Sequence, residues 1–112
     1  LEANILRLPG QLYEHKEGNI ISNVFTYKLL NKTTKSVDNV HFELISPKGE
    51  IKLVRTDNFD VQPEALAEGT LFIEINASAL SGDKNDLKIG VYSNDKLIET
   101  TTARFLAPRS YK

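Results

Sequence analysis

His15 and His41 are the only imidazoles in the chain, and imidazole is the side chain most often recruited as a metal ligand or a general base near neutral pH. In Val40-His41-Phe42-Glu43-Leu44 the alternation sends Val40, Phe42 and Leu44 to the core side and His41, with Glu43, to the sheet surface. A solvated strand or loop histidine is the simpler reading of both. The sharper reading is a metal or redox site built from His15, His41 and nearby carboxylates. It requires the two imidazoles to lie within about 5 Å, so that one ion can bond to both at ~2.0–2.1 Å. Copper(I) favours the sulfur of Met or Cys, and the chain has neither, so it is not expected to carry copper by itself.

Loop oxygens are the other candidate ligands. Asp83, Asp86 and the Asp57-Asn58-Asp60 segment could serve calcium, but none fits the twelve-residue loop with its terminal bidentate glutamate, and such residues ordinarily make turns. Ser22, Ser46, Ser78, Ser81, Ser93 and Ser110 include no Gly-x-Ser-x-Gly elbow, and no phosphate loop or dinucleotide fingerprint is present. No catalytic, cofactor-binding or metal-binding residue is therefore assigned. Asn31-Lys32-Thr33 and Asn76-Ala77-Ser78 match the glycosylation pattern by chance on this reading.

Composition narrows the classes further. With 112 residues a single domain, 1–112, is expected. A net charge of −1 supplies no positive field for nucleic acid or anionic lipid. Zero Cys excludes a disulfide scaffold, a thiolate nucleophile and a cysteine-held iron–sulfur cluster in this segment, and leaves the redox compartment open. No apolar run approaches the ~20 residues of a spanning helix. The opening Leu1-Glu2-Ala3-Asn4 lacks Met, which suggests a fragment excised from a longer protein.

The elements that would position these groups are strands. Ile5 to Leu8 ends at Pro9-Gly10, a turn pair; Ile20 to Asn31 sets Phe25, Tyr27 and Leu29 against Val24, Thr26 and Lys28. Further extended runs are read at Val40–Leu44, Ile51–Arg55, around Phe59 and Val61, from Gly69 to Asn76, at Leu87–Tyr92, and at Leu97–Phe105. Asn94-Asp95 should close a hairpin between the last two. Glu64–Glu68 and Ala77–Leu80 could each form one helical turn. Seven or eight strands without a helical period predict an all-β, immunoglobulin-like antiparallel sandwich without a disulfide. Phe25, Tyr27, Phe42, Phe59, Leu71, Ile73, Ile89, Val91 and Phe105 are the expected core. Asn23 and Asn31 bracket the second strand, where asparagine commonly bonds its own backbone.

Taken in order, Leu6-Arg7-Leu8-Pro9-Gly10-Gln11-Leu12-Tyr13, Gly18-Asn19-Ile20-Ile21-Ser22-Asn23-Val24-Phe25-Thr26-Tyr27-Lys28 and Leu30-Asn31-Lys32-Thr33 resemble the C-terminal immunoglobulin-like domain of the FixG/CcoG family. Glu68-Gly69-Thr70-Leu71-Phe72-Ile73, Leu87 to Tyr92 and Phe105-Leu106-Ala107-Pro108 extend the resemblance over nearly the whole chain. It marks Arg7, Pro9, Gly10, Tyr13, Asn23, Asn31, Lys32, Thr33 and Phe72 as signature residues, structural or docking. It implies a parent polyferredoxin embedded in the bacterial inner membrane, holding two [4Fe–4S] clusters through cysteines outside this segment. Such a parent is an accessory factor that reduces copper for assembly of a haem–copper cytochrome c oxidase. This segment would be its soluble periplasmic appendage, docking oxidase subunits or assembly factors, with exposed edge strands the usual means. The rival expectation is a carbohydrate- or surface-binding module of a cell-envelope protein. That module would need an exposed aromatic platform, for which Tyr13, Tyr92 and Tyr111 are the outward candidates.

Overall fold

The computed structural model describes residues 1–8, 13–54, 59–80 and 84–107, the side chain of Lys84 excepted. Among the described residues there are nine strands and one short 3-10 turn, the long strands alternating apolar with polar residues. These are β1 (Glu2–Arg7), β2 (Glu14–Lys16), β3 (Ile20–Leu30), β4 (Val37–Ser46), β5 (Glu50–Leu53), β6 (Phe59–Val61), β7 (Leu66–Asn76), β8 (Lys84–Ser93) and β9 (Lys96–Leu106), with the turn at Ala77–Ala79. One antiparallel sheet runs β1-β3-β7-β5, with β2 also pairing β3; the other runs β6-β4-β8-β9. The fold is the expected immunoglobulin-like sandwich, with nine strands rather than seven or eight.

Each central strand turns its apolar face inward. Phe25, Leu29, Leu71, Ile73 and Ile75 from one sheet meet Val40, Leu87, Ile89, Val91 and Phe105 from the other, and all are fully buried. Of the nine predicted core residues, Phe59 alone is only partly covered. Tyr27 fills the middle of the sandwich, with its ring 5.1 Å from Phe42 and 5.5 Å from Phe59. Burial raises its hydroxyl above the ordinary phenol pKa.

Three differences from the sequence reading have physical causes. The extra strand β2 is Glu14-His15-Lys16, all exposed, held by register with Ser22, Ile21 and Ile20 rather than by any apolar face. The turn expected at Glu64–Glu68 gives way to strand from Leu66 onward, because β7 pairs with β3 along its whole length, from Leu66 opposite Leu30 to Asn76 opposite Ile20. Tertiary pairing overrides a one-turn helical preference here. Gly69 therefore lies inside β7, opposite Tyr27, rather than at its start. The expected hairpin is present, with both Asn94 (φ 50°) and Asp95 (φ 64°) in the left-handed region that a two-residue turn demands.

Gly69 has a specific packing role. A Cβ there would stand 2.5 Å from the Tyr27 Oη and 2.6 Å from its Cε2. Since Tyr27 is wedged between two phenylalanines, the ring has nowhere to retreat. Gly69→Ala should therefore cost about 1–3 kcal/mol, as overpacked cores do. Chemical denaturation should show a lowered midpoint with an unchanged slope; an unchanged midpoint would mean that the ring moves freely.

Candidate functional site

Two buried asparagines organise the molecule. Asn31, at the end of β3, is completely buried: its Nδ2 donates to the carbonyls of Lys35 (2.8 Å), Val61 (3.2 Å) and Gln62 (3.2 Å). Its Oδ1 accepts from the Thr33 amide at 3.0 Å and from the Thr33 hydroxyl at 2.7 Å. One side chain thus ties the β3–β4 connection to β6 of the opposite sheet. Asn23 is 1% exposed and makes a reciprocal pair with Leu106, donating to its carbonyl at 2.9 Å and accepting from its amide at 2.7 Å. It joins β3 to β9 across the seam between sheets.

Asn23 lies inside β3 rather than at its end, and the habit of asparagine to bond its own backbone holds only in part. Asn31 does so in part and Asn23 not at all, its partner being 83 residues away. Burial of Asn31 also removes it as a glycan acceptor in the folded chain. Asn76 is exposed and caps the 3-10 turn, accepting from the Ser78 amide.

The other signature residues are dispersed. Lys32 pairs with Glu2, Tyr13 is 42% exposed, and Phe72 is half-buried opposite Val24 and Lys52. Pro9 and Gly10 lie outside the described residues, as do Asp57, Asn58, Ser81, Asp83, Ser110 and Tyr111. Arg7 ends β1 with its Nη1 buried.

The histidines sit in different sheets, His15 on β2 and His41 on β4. Among the described residues no three His, Asp or Glu side chains gather into a metal-holding group. His41 faces outward as expected. Its Nε2 lies 2.8 Å from Glu43 Oε2, and its ring stacks on Tyr92 at 5.1 Å with planes 13° apart. One face of Tyr92 is thereby covered. Beside this pair, Tyr92, Leu97 and Ile45 converge over Gly90, where an added Cβ would stand 2.8–3.1 Å from their atoms. Leu97 and Ile45 are 45% and 41% exposed, so the outer face of the four-stranded sheet carries a partly apolar surface. Sequence reasoning passed over Gly90; its signal was a glycine inside an otherwise regular strand pattern.

The sheet edges are guarded. β2, β5 and β6 have three, four and three residues, too short to template a partner strand well. β9 is long, but β1 lies beside it, its ladder is irregular between Val91 and Tyr92, and Glu99, opposite buried Val91, puts a charge on the inward side. Short edges, bulges and inward charges are the devices that discourage edge-to-edge pairing.

On the opposite sheet Glu74 is a further group that sequence reasoning missed. Its side chain is 13% exposed and is held between Lys16 from β2 and Lys52 from β5, each at 3.0 Å. With Ile20, Gly49, Lys52 and Ser78 it lines a shallow groove. Burial pushes the carboxyl pKa up, but hydrogen bonds from the two ammonium groups outweigh it and leave the group below the usual carboxylate range. A folded pKa below the unfolded one contributes stability above the unfolded value, and that contribution fades as pH falls through the folded value. The chain should therefore lose part of its melting temperature on acidification below about pH 4, and Glu74→Gln should lose less over the same interval. Parallel acid profiles for the two proteins would remove Glu74 from this role.

A family model described as "IG-like fold at C-terminal of FixG" matches residues 1–108. The chain belongs to this FixG C-terminal family. A similar solved structure is a FixG-related protein from Vibrio parahaemolyticus, with a TM-score of 0.66 and 16% identity over 94% of each chain. At that identity the likeness concerns the fold. No curated protein matches the chain. Within the FixG C-terminal fold, the buried Asn23 and Asn31 tie strands and loops together, His41 stacks on Tyr92 at the surface, and Arg7 holds a buried Nη1 without a partner. No described helix is long and apolar enough to cross a membrane.

Proposed function

We propose that this chain is a non-catalytic accessory domain of a FixG-like membrane iron–sulfur protein and serves its docking during maturation of a haem–copper cytochrome c oxidase. Membership of the FixG C-terminal family carries this reading. FixG is described there as a candidate oxidoreductase; the redox chemistry, reduction of copper through two [4Fe–4S] clusters, belongs to the parent's cysteine-bearing part in the inner membrane. The domain works on the periplasmic side and contacts oxidase subunits or assembly factors. Guarded edges favour docking through a face over strand addition, and the surface around Tyr92, Ile45 and Leu97 is the face best suited to it.

The full reading frame of the gene tests the parent's nature. Cys-x-x-Cys-x-x-Cys clusters and apolar spans of ~20 residues upstream of Leu1 are the expected finding. A frame with neither would remove the iron–sulfur parent and with it the oxidase assignment.

A further inference from the structure

Arg7 lies on the inward side of β1. Ile5, two residues earlier, is buried opposite Tyr27; Arg7 itself stands opposite Phe25, which is fully buried; and Leu6 between them is 65% exposed. The side chain therefore enters the sandwich at the seam where β1 runs beside β9, two residues along β3 from the Asn23–Leu106 clasp. Its Nη1 is buried and has no hydrogen-bond partner.

Of the described buried side-chain nitrogens and oxygens, one other lacks a partner, Nδ1 of His41. That atom can be the bare acceptor of a neutral imidazole, a modest cost. A guanidinium has no such escape, because it keeps its charge at any pH the fold survives and has only donors to offer. A buried, uncompensated guanidinium nitrogen is expensive, and a counter-charge is what relieves it.

The geometry points to Arg7 as the anchor of a carboxylate-binding site at the β1–β9 seam. The residue remains partly open to solvent, so the fork can turn outward to meet an incoming carboxylate in the two-pronged geometry that guanidinium and carboxylate share. Such a ligand is favoured by the charge-assisted, two-pronged bonds it makes to the guanidinium. The inference is independent of the oxidase reading, since it rests on one unfilled donor and not on the parent's chemistry. The carboxylate has two sources, a free small acid or a glutamate side chain of a partner protein.

The test is a titration of the 15N-labelled chain with sodium acetate, and separately with the capped peptide acetyl-Gly-Glu-Gly-amide, against sodium chloride at equal ionic strength. The Arg7 side-chain NH signals are the readout. Saturable shifts with either carboxylate, absent with chloride, are expected; tighter binding of acetate assigns a free acid and tighter binding of the peptide a partner's glutamate. Arg7→Lys, which keeps the charge without the fork, should weaken binding by roughly tenfold, followed through the amides of β1. Arg7→Met should fold with an unchanged or raised melting temperature and show no carboxylate-specific shift in β1. Two results would overturn the proposal: no saturable response to either carboxylate, or an Arg7→Met chain that melts well below the parent, which would make Arg7 a structural residue.

Discussion

Asn31→Ala should melt roughly 12–20 °C below the parent chain. The substitution deprives the carbonyl oxygens of Lys35, Val61 and Gln62 of the Nδ2 donor, and the Thr33 amide and hydroxyl of their Oδ1 acceptor. Asn31 is fully buried and its bond to Val61 is buried throughout, so water does not replace all of these partners. Leaving two or so such groups unpaired at about 1–3 kcal/mol each gives a loss of about 3–5 kcal/mol. At about 4 °C per kcal/mol for a domain of this size, that is the stated shift. Asn31→Asp separates the two halves of the role: it retains the acceptor for Thr33 but sets a carboxylate against three carbonyl oxygens, and should be at least as damaging. A melting temperature within 3 °C of the parent for either variant would mean that the loop and β6 do not depend on this side chain.

Asn23→Ala is expected to cost about 2–3 kcal/mol, or roughly 8–12 °C. The amide of Asn23 imitates one rung of a β-ladder, donating to and accepting from Leu106, so its loss orphans both backbone groups of a half-buried residue. Hydrogen exchange gives the more specific readout. The Leu106 amide should lose protection in the variant, while amides in the middle of the β3–β7 ladder keep theirs relative to global stability. Retained protection at Leu106 would show that the seam is closed by something other than this pair.

These two residues also mark where sequence reading stops. Period-two alternation was enough to place the long strands and eight of the nine named core residues, since each central strand has one face in a common apolar interior. Asn94-Asp95 was legible because few residues accept positive φ twice in succession. The strand β2 was not, because its three charged or polar residues are extended only through what lies beside them. Nor was the strand character of Leu66–Glu68, which the β3 register imposes.

The asparagines were singled out by position, but their partners were hidden. Nothing near residue 23 in the chain indicates that residue 106 will lie against it; that juxtaposition exists only once β1, β3 and β9 share a seam. The same holds for Glu74, whose lysine partners come from strands on either side of it. His41 was read correctly as an outward residue beside Glu43, whereas its stacking on Tyr92 required knowing that β4 pairs with β8 in that register.

The most direct measurement of the central claim is made in cells producing the parent protein with and without residues 1–112. Cytochrome c oxidase activity per unit of membrane protein would be compared with the iron and labile sulfide retained by the purified parent. An accessory docking domain predicts a parent with its clusters intact and oxidase activity reduced at least several-fold, restored when the domain is returned. Unchanged oxidase activity, or a loss of activity matched by loss of the clusters themselves, would contradict it.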